Sequence, residues 1–315
     1  MDSAPLHNGL IVAAYGRHFL VETPEGNRLI CHSRGKKSQG LVGDRILWQA
    51  TGDEGTVEKI KERKNVLYRQ DSIRTKSFAA NLDQILILIA ATPEFSSNQL
   101  SRALIAAEAE HITPIIALNK SDLIEPFSRA WEWLLPYRQM HYGVLPLSLR
   151  LSPDIDRAKL LNLLAGKTTL VLGPSGAGKS TLINLLAPGA LAQTREISEA
   201  LNSGKHTTTS TSLYWVGDRP ASANDVGTAI IDSPGFQEFG LQHIPQNQLV
   251  SCMPDLKQHV QNCKFYNCTH LHEPGCGVLS ALQIDESAEL LATEVSPRRH
   301  RIYTQLFEEL GQQRW

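Results

Sequence analysis

The sequence predicts a multidomain chain of three modules: an N-terminal OB-like β-barrel, a central α/β domain built on a phosphate loop, and a C-terminal α-helical zinc-binding module. Three observations predict this division. Short β-favouring runs fill the first part of the chain, strands and helices alternate from Asn81 onward, and a Cys/His cluster lies near the end. The 315 residues are enough for more than one domain, and we place the modules at residues 1–70, 71–240 and 241–315.

The barrel is predicted from five β-favouring runs that are separated by turn-rich pieces. The runs are residues 10–13, 18–21, 28–31, 45–48 and 55–60. This spacing is typical of an OB-like barrel, although an SH3-like barrel has a similar pattern. The segment that follows, residues 61–80, is polar and basic and is predicted to be a linker.

The alternation of strands and helices in the central domain is typical of a parallel sheet covered on both faces. Candidate strands are residues 84–90, 114–118, 143–147, 168–172 and 228–231. Apolar residues at i, i+3, i+4 and i+7 from Leu100 predict an amphipathic helix, and a second helix over residues 155–164 ends near Gly166. After about residue 241 the predicted strands cease, and Ser296-Pro297 marks the start of a last helix.

The charges nearly cancel, with 31 Lys and Arg against 32 Asp and Glu, which excludes a uniformly basic nucleic-acid coat but allows a local basic face. The longest strongly apolar stretch, residues 85–91, is far shorter than the ~20 residues needed to cross a bilayer. The N-terminus has no basic start followed by an apolar region and is therefore unlike a secretory signal. We expect a cytoplasmic protein that contacts no membrane.

A glycine-rich loop of the Walker A pattern follows the fourth predicted strand of the central domain, residues 168–172. In such a loop the backbone N–H groups face the phosphates, Lys179 reaches the outer phosphates and the Ser180 hydroxyl binds Mg²⁺. The alternative is a chance glycine turn, against which the flanking strand and helix argue. The predicted nucleotide-binding residues here are Gly173, Pro174, Ser175, Gly176, Ala177, Gly178, Lys179, Ser180 and Thr181.

A base-recognition motif follows the second predicted strand and consists of Asn119, Lys120, Ser121 and Asp122. The Asp122 carboxylate can accept N1–H and N2–H of guanine, which favours GTP over ATP; a polar turn with a capping Asp is the alternative. Ser148, after the third strand, is expected to support the base with its backbone. Because Asn119 precedes Gly173 by 54 residues, whereas the phosphate loop comes first in ordinary GTPases, the order predicts a circularly permuted P-loop domain.

Two switch segments are predicted to complete the nucleotide site. Asp232, at the end of the last strand, can hold a Mg²⁺-bound water, and Gly235 can present its N–H to the γ-phosphate. In the Ser/Thr-rich segment before them we expect Thr208 to coordinate Mg²⁺ when GTP is bound, with a flexible loop as the alternative. Phe236 stands where Ras-like enzymes have a water-orienting Gln, so we expect slow unaided hydrolysis and take His206 as the candidate for water positioning.

The Cys/His cluster offers three sulfurs and one imidazole within fourteen residues, a closed set typical of structural zinc. We expect one Zn²⁺ per chain, with unpaired buried cysteines as the alternative. His272 is a competing ligand, and Cys252 is an outlying thiol. The predicted ligands are Cys263, Cys268, His270 and Cys276.

Two basic stretches are candidate RNA-facing edges. One lies in residues 61–76, and the other is the start of the last helix, where a solvated face is the alternative. That helix begins with Arg298, Arg299, His300 and Arg301.

Together these motifs resemble the ribosome small-subunit-dependent GTPase A family (RsgA, also called YjeQ). The resemblance covers most of residues 80–280. It departs at Lys205, where Arg is common, at Ala177, where Val is common, and at Leu149, where a small residue is expected. It implies an OB-fold, permuted GTPase and zinc protein that binds the 30S ribosomal subunit and its 16S rRNA. Its GTP hydrolysis, to GDP and phosphate, would be stimulated by that subunit and assist late maturation; we expect a monomer.

Two other functions fit part of the sequence. A zinc RNA-binding adaptor would sense GDP and GTP, and its poor hydrolysis would not respond to small subunits. A P-loop kinase or ATPase would bind ATP as tightly as GTP.

Overall fold

A computed structural model describes residues 5–34, 40–70, 75–190, 211–220, 227–233, 240–282 and 294–312. Among the helices of these ranges, none combines the length and the apolar character that a membrane crossing requires. The structure confirms the predicted order of modules along the chain: a barrel, an α/β domain and a helical module.

The N-terminal module is a closed five-stranded barrel, as predicted. Its strands are β1 (His7–Tyr15), β2 (His18–Glu22), β3 (Arg28–Ser33), β4 (Arg45–Thr51) and β5 (Glu54–Ile60). They pair in the order β1-β2-β3-β5-β4, and β4 returns to β1 to close the barrel. Alternate residues such as Ile46 and Trp48 point inward because successive strand side chains face opposite sides.

The prediction of a linker over residues 61–80 is wrong, because this segment contains a β-hairpin. Its strands are β6 (Val66–Gln70) and β7 (Thr75–Ala80), so it spans the module boundary drawn at residue 70. The basic residues before it serve the fold: Arg63 makes two hydrogen bonds of 2.7 Å to buried Asp44, and Lys64 pairs with Asp83 at 2.8 Å. The prediction was misled by the charged residues of this segment, which are typical of linkers. In the fold, Arg63 and Lys64 form ion pairs with carboxylates of the same chain.

The central sheet holds the five predicted strands and one unpredicted strand. The parallel members are β8 (Gln84–Ala90), β9 (Thr113–Asn119), β10 (Gly143–Pro146), β11 (Thr168–Leu172) and β13 (Ala229–Asp232). They lie in the order β10-β9-β8-β11-β13, and the unpredicted β12 (Ser212–Trp215) is antiparallel to β13. Strand β12 also pairs with β1, opposite Ala13, so barrel and central domain share one 11-stranded sheet.

Helices cover both faces of this sheet. They are α1 (Ser97–Ala109), α2 (Ile124–Trp133), α3 (Leu135–Gln139), α4 (Pro153–Leu164) and α5 (Lys179–Leu186). Strand β8 is buried on both sides, since Ile85, Ile87 and Ile89 belong to one core and Leu86 and Leu88 to the other. The predicted helices correspond to α1, α4 and α5, whereas α2 and α3 were not predicted.

The C-terminal module contains helices and loops, and no strand follows β13 within the described ranges. Its helices are the 3₁₀ helix Gln246–Cys252, α6 (Pro254–Lys257), the 3₁₀ helix Val260–Asn262, α7 (Gly277–Ser280) and α8 (Pro297–Gly311). The predicted start of α8 is confirmed, but the Ser296 side chain makes no capping hydrogen bond. Its apolar face, with Ile302 and Leu306, is buried against the rest of the molecule.

Candidate functional site

The phosphate loop leaves β11 and enters α5, and two of its glycines lie where no side chain fits. A Cβ at Gly173 would lie 2.5 Å from the Leu88 carbonyl oxygen. Gly178 has φ +105° at the N-cap of α5, and a Cβ there would lie 2.4 Å from Asn119 Nδ2. The phosphate-loop backbone at Gly178 therefore lies close to Asn119 of the base-recognition motif. We call residues 119–122 the base loop.

Lys179 forms an ion pair with Asp232, which lies at the end of β13. Strands β11 and β13 are parallel neighbours, so their carboxyl ends bring the phosphate loop and Asp232 together. Ser180, the next residue, is exposed in the first turn of α5. A lysine, a hydroxyl and a carboxylate thus lie at one edge of the sheet.

The base loop is fastened to the phosphate loop by Asn119. Its Nδ2 donates to the Ala177 carbonyl at 2.8 Å, and its Oδ1 accepts from the Leu149 N–H at 3.2 Å. Lys120 adopts a left-handed φ of +68°, and its ammonium donates to the Thr92 carbonyl. Asn119 therefore links three loops: the base loop, the phosphate loop and the loop that follows β10.

The Asp122 carboxylate is held by Ser148, whose hydroxyl donates to Oδ1 at 2.6 Å. The Ser148 N–H is not free to support a base, because it donates to the buried carboxylate of Asp156. Its expected role as a backbone donor is therefore replaced by that of a side-chain donor to Asp122. Asp156 lies in the first turn of α4, next to Lys159 at 3.1 Å, and was missed in the sequence.

Three predicted site residues lie outside the part of the chain that the structure describes. They are His206, Thr208 and Gly235. Their roles stay predictions.

The four predicted metal ligands are brought together. One donor atom from each of Cys263, Cys268, His270 and Cys276 lies within 4.8 Å of the others. His270 Nδ1 is 3.5 Å from the sulfurs of both Cys263 and Cys276, which are 4.0 Å apart. Tetrahedral zinc, with Zn–S near 2.3 Å and Zn–N near 2.0 Å, requires S–S edges of ~3.8 Å and S–N edges of ~3.5 Å, so the donor set fits the ion.

The loop that carries the four predicted ligands, residues 263–276, is called the metal loop here and is supported from several sides. Glu273 accepts hydrogen bonds from Thr269 N and Oγ1, Leu271 N and His272 N. Burial acts to raise the pKa of Glu273, but these donors lower it well below its usual value. From α8, His300 Nε2 lies 2.7 Å from the His270 carbonyl and Tyr303 donates to the Thr269 carbonyl at 2.8 Å.

The two residues noted as competitors lie apart from this cluster. His272 is exposed and is not among the four grouped ligands. Cys252 is buried, with its sulfur 3.9 Å from Ser251 Oγ. Neither completes the donor set.

The basic start of α8 is divided: Arg299 is buried, whereas Arg298 and Arg301 are exposed, and the expectation that this edge faces RNA stays a prediction for the exposed pair. Arg299 is 2% exposed and binds Asp255 through Nε at 2.8 Å and Nη2 at 3.0 Å. Its Nη1 donates to Ser101 Oγ at 2.7 Å. Arg298 is exposed but lies over the Trp133 ring, 4.9 Å from its centroid.

Comparison with known proteins identifies close relatives over nearly the whole chain. A family model described as RsgA GTPase matches residues 60–242. A protein of Variovorax paradoxus (strain S110) named "Small ribosomal subunit biogenesis GTPase RsgA" is 66% identical over 310 residues, 98% of this chain and 94% of that protein. One of the same name from Paraburkholderia xenovorans (strain LB400) is 48% identical over 306 residues, 96% of this chain and 93% of that protein.

Two solved structures share the fold. YloQ, described as a circularly permuted GTPase, is 28% identical with a TM-score of 0.68 and matches over 99% of this chain and 98% of its own. YjeQ from Thermotoga maritima is 25% identical with a TM-score of 0.72, over 98% of this chain and 100% of its own. The predicted circularly permuted P-loop fold is confirmed.

Proposed function

Because the chain belongs to the RsgA GTPase family and is therefore a GTP hydrolase, we propose that it acts in biogenesis of the small ribosomal subunit. In this proposal it binds the 30S subunit through 16S rRNA as a cytoplasmic monomer. The subunit stimulates hydrolysis of GTP to GDP and phosphate, and this reaction assists late maturation. The name of the 66% identical relative supports the partner.

The observation that carries this function is the bond network between the base loop and the phosphate loop. Asn119 links Ala177 and Leu149, while Ser148 orients the Asp122 carboxylate. A carboxylate held in this way accepts two N–H groups of guanine and repels the ring nitrogen acceptor of adenine. This specificity favours a GTPase over the kinase or ATPase.

The phosphates of GTP are proposed to bind residues 173–181, with Lys179 as the cation. We expect Lys179 to exchange Asp232 for the outer phosphates, because a phosphate carries more charge than one carboxylate. The exposed Ser180 hydroxyl and the Asp232 carboxylate are oxygen donors of the kind that Mg²⁺ prefers, and they would hold it together with Thr208. When bound, Mg²⁺ neutralises charge on the β- and γ-phosphates.

Zinc is proposed as the metal of the Cys₃His site, with one ion per chain. The donor spacings fit a tetrahedral ion, and Gly277 N–H donates to the Cys263 sulfur at 3.3 Å. A closed set of four protein ligands leaves no position for a substrate, so the role is structural.

The experiment that tests this function measures how much of the protein pellets with small ribosomal subunits and how fast it hydrolyses GTP. Binding should be stronger with a non-hydrolysable GTP analogue than with GDP and should weaken between two salt concentrations, since phosphate contacts release counterions. Turnover should rise when subunits are added. Turnover that small subunits do not stimulate would favour the RNA-binding adaptor. Pelleting that is equal with every nucleotide and at both salt concentrations would contradict nucleotide-dependent binding through phosphate contacts.

A further inference from the structure

The metal loop carries two exposed aromatic side chains at its end. Phe265 is 42% exposed and Tyr266 is fully exposed, whereas Tyr303 and Phe307, the other Phe and Tyr rings in the described part of this module, pack against the core. We call residues 264–266 the aromatic tip. Adjacent exposed aromatic rings on a polar loop lose favourable burial and so suggest a contact with another molecule.

The aromatic tip is held at both ends. It lies between the metal ligands Cys263 and Cys268. The Lys264 N–H donates to the Gly275 carbonyl at 2.9 Å, and the Cys268 N–H donates to the Phe265 carbonyl at 3.3 Å. A loop fixed in this way loses little conformational entropy when its side chains bind a partner.

The exposed charged residues that flank the aromatic tip in the sequence are positive. Lys264 lies over the Phe265 ring, with Nζ 5.6 Å from the centroid, and Lys257 is exposed nearby in sequence. Between Asp255 and Glu273 the sequence contains no acidic residue. Asp255 is buried in its ion pair with Arg299, and the Glu273 carboxylate already accepts four hydrogen bonds within the loop.

We propose that the aromatic tip stacks on an unpaired base of RNA, with Lys264 on the adjoining phosphate; this inference rests on the proposed function. Single-stranded RNA combines flat π-faces with a dense negative charge, and aromatic rings beside cations bind both features without reading sequence. An apolar pocket of a protein partner would use the area of these rings but not the lysine. The combination of ring and cation on a rigid loop therefore favours RNA.

The ring can be tested by two substitutions at one position. Tyr266→Leu keeps an apolar side chain but removes the π-face, and Tyr266→Phe keeps the ring. Stacking is worth ~1–3 kcal/mol per base, so we expect Tyr266→Leu to weaken small-subunit affinity about tenfold and Tyr266→Phe to change it less than about twofold. Ile155→Ala, which removes a 62% exposed apolar side chain on α4, is the matched surface control and should have no effect.

The fold and the proposed function are checked in the same variants. Zinc content, thermal midpoint and GTP turnover without subunits should all equal those of the unaltered chain, because Tyr266 is fully exposed. If the unaltered chain binds subunits in a nucleotide-dependent way and Tyr266→Leu binds equally well, the stacking proposal is wrong while the proposed function stands. If the unaltered chain does not bind subunits, the proposed function itself fails.

Ultraviolet crosslinking identifies the class of partner directly. Crosslinked complexes with small subunits should yield a nucleotide adduct on Phe265 or Tyr266, detected by mass spectrometry of the peptide that follows Lys264. An adduct with a ribosomal protein at these positions would overturn the proposal. Lys264→Gln should reduce the salt dependence of binding by about one phosphate contact, and an unchanged slope would remove Lys264 from it.

Discussion

The Asp122 carboxylate is oriented by one neutral donor, the hydroxyl of Ser148, at 2.6 Å. A hydrogen bond to a charged group contributes ~1.5–3 kcal/mol, more than a bond between neutral groups. The same serine is held through its N–H by Asp156, which is 1% exposed. The proposed base recognition therefore depends on a chain of three residues from two loops and one helix.

Ser148→Ala should lower GTP affinity about tenfold, because Asp122 loses its donor while the Ser148 backbone stays bound to Asp156. Titration with a fluorescent GTP analogue measures this, and the thermal midpoint serves as the control for folding. ATP affinity should stay low. Undiminished GTP affinity would show that Asp122 needs no orienting donor.

His206→Ala should keep GTP affinity but lower turnover stimulated by small subunits, because the imidazole is predicted to position the attacking water. Single-turnover hydrolysis at saturating subunits measures the effect, with GTP binding as the control. Stimulated turnover equal to that of the unaltered chain would remove His206 from this role.

The residues of the nucleotide site were predictable to different extents. Glycines, Lys179 and Asp122 follow from motif spacing, because phosphates and guanine impose fixed chemistry at fixed separations. Asp156 belongs to no such motif, and its only signal is an acidic residue in the first turn of a helix. Its contact with Ser148 depends on how α4 packs against the base loop.

At the scale of elements, Arg299 fastens α8 to α6 by a buried ion pair and to the central domain by a hydrogen bond. Arg299 reaches Asp255 of α6 and Ser101 of α1, and its guanidinium lies 5.2 Å from the Tyr137 ring centroid. Burial acts to lower the pKa of Arg299, but the Asp255 carboxylate raises it above its usual value. A second ion pair, Arg102 with Glu309, joins α1 to the far end of α8.

Arg299→Met should destabilise the protein by about 3–5 kcal/mol, because it leaves the Asp255 charge buried without a partner. Urea unfolding measures this loss. Arg298→Met is the matched control at the neighbouring exposed position, where a change below about 1 kcal/mol is expected. If Arg299→Met weakened RNA binding and left stability unchanged, Arg299 would contact RNA and would not stabilise the fold.

Removal of zinc should unfold the metal loop and release α8, whose His300 and Tyr303 bind carbonyl groups of that loop. A chelator should extract one zinc per chain, measured by elemental analysis, and the near-ultraviolet circular dichroism of the protein, to which Tyr303 contributes, should change. Cys263→Ser should lose the metal, and Cys252→Ala should retain it. Full zinc content in Cys263→Ser would contradict the predicted ligand set.

At the scale of the whole molecule, the barrel and the central domain are joined through β12. Trp215 donates to Glu22 at 2.8 Å, and Arg219 donates to the carbonyls of Thr23 at 3.0 Å and Pro24 at 2.6 Å. Glu22 is 4% exposed and also accepts from Arg28. Strand β12 thus joins the barrel to the central sheet by both backbone pairing and side-chain bonds.

Trp215→Phe should destabilise the junction by about 1–3 kcal/mol, because the buried Glu22 carboxylate loses a donor. Urea unfolding of a double-mutant cycle with Glu22→Gln isolates the pair. The coupling energy should be favourable, since the two side chains touch. Strictly additive effects would mean that the bond does not stabilise the junction.

The sequence by itself determined the order of modules, the permuted P-loop architecture and the chemistry of both sites, because strand periodicity, phosphate binding and metal ligation leave local patterns. Tertiary structure decided which charges are internal. Arg63 and Arg299 look like surface cations in the sequence, yet each is paired with a buried carboxylate. It also decided that β12 joins the barrel to the central sheet, since a pairing between residues ~200 positions apart depends on packing and leaves no local signal.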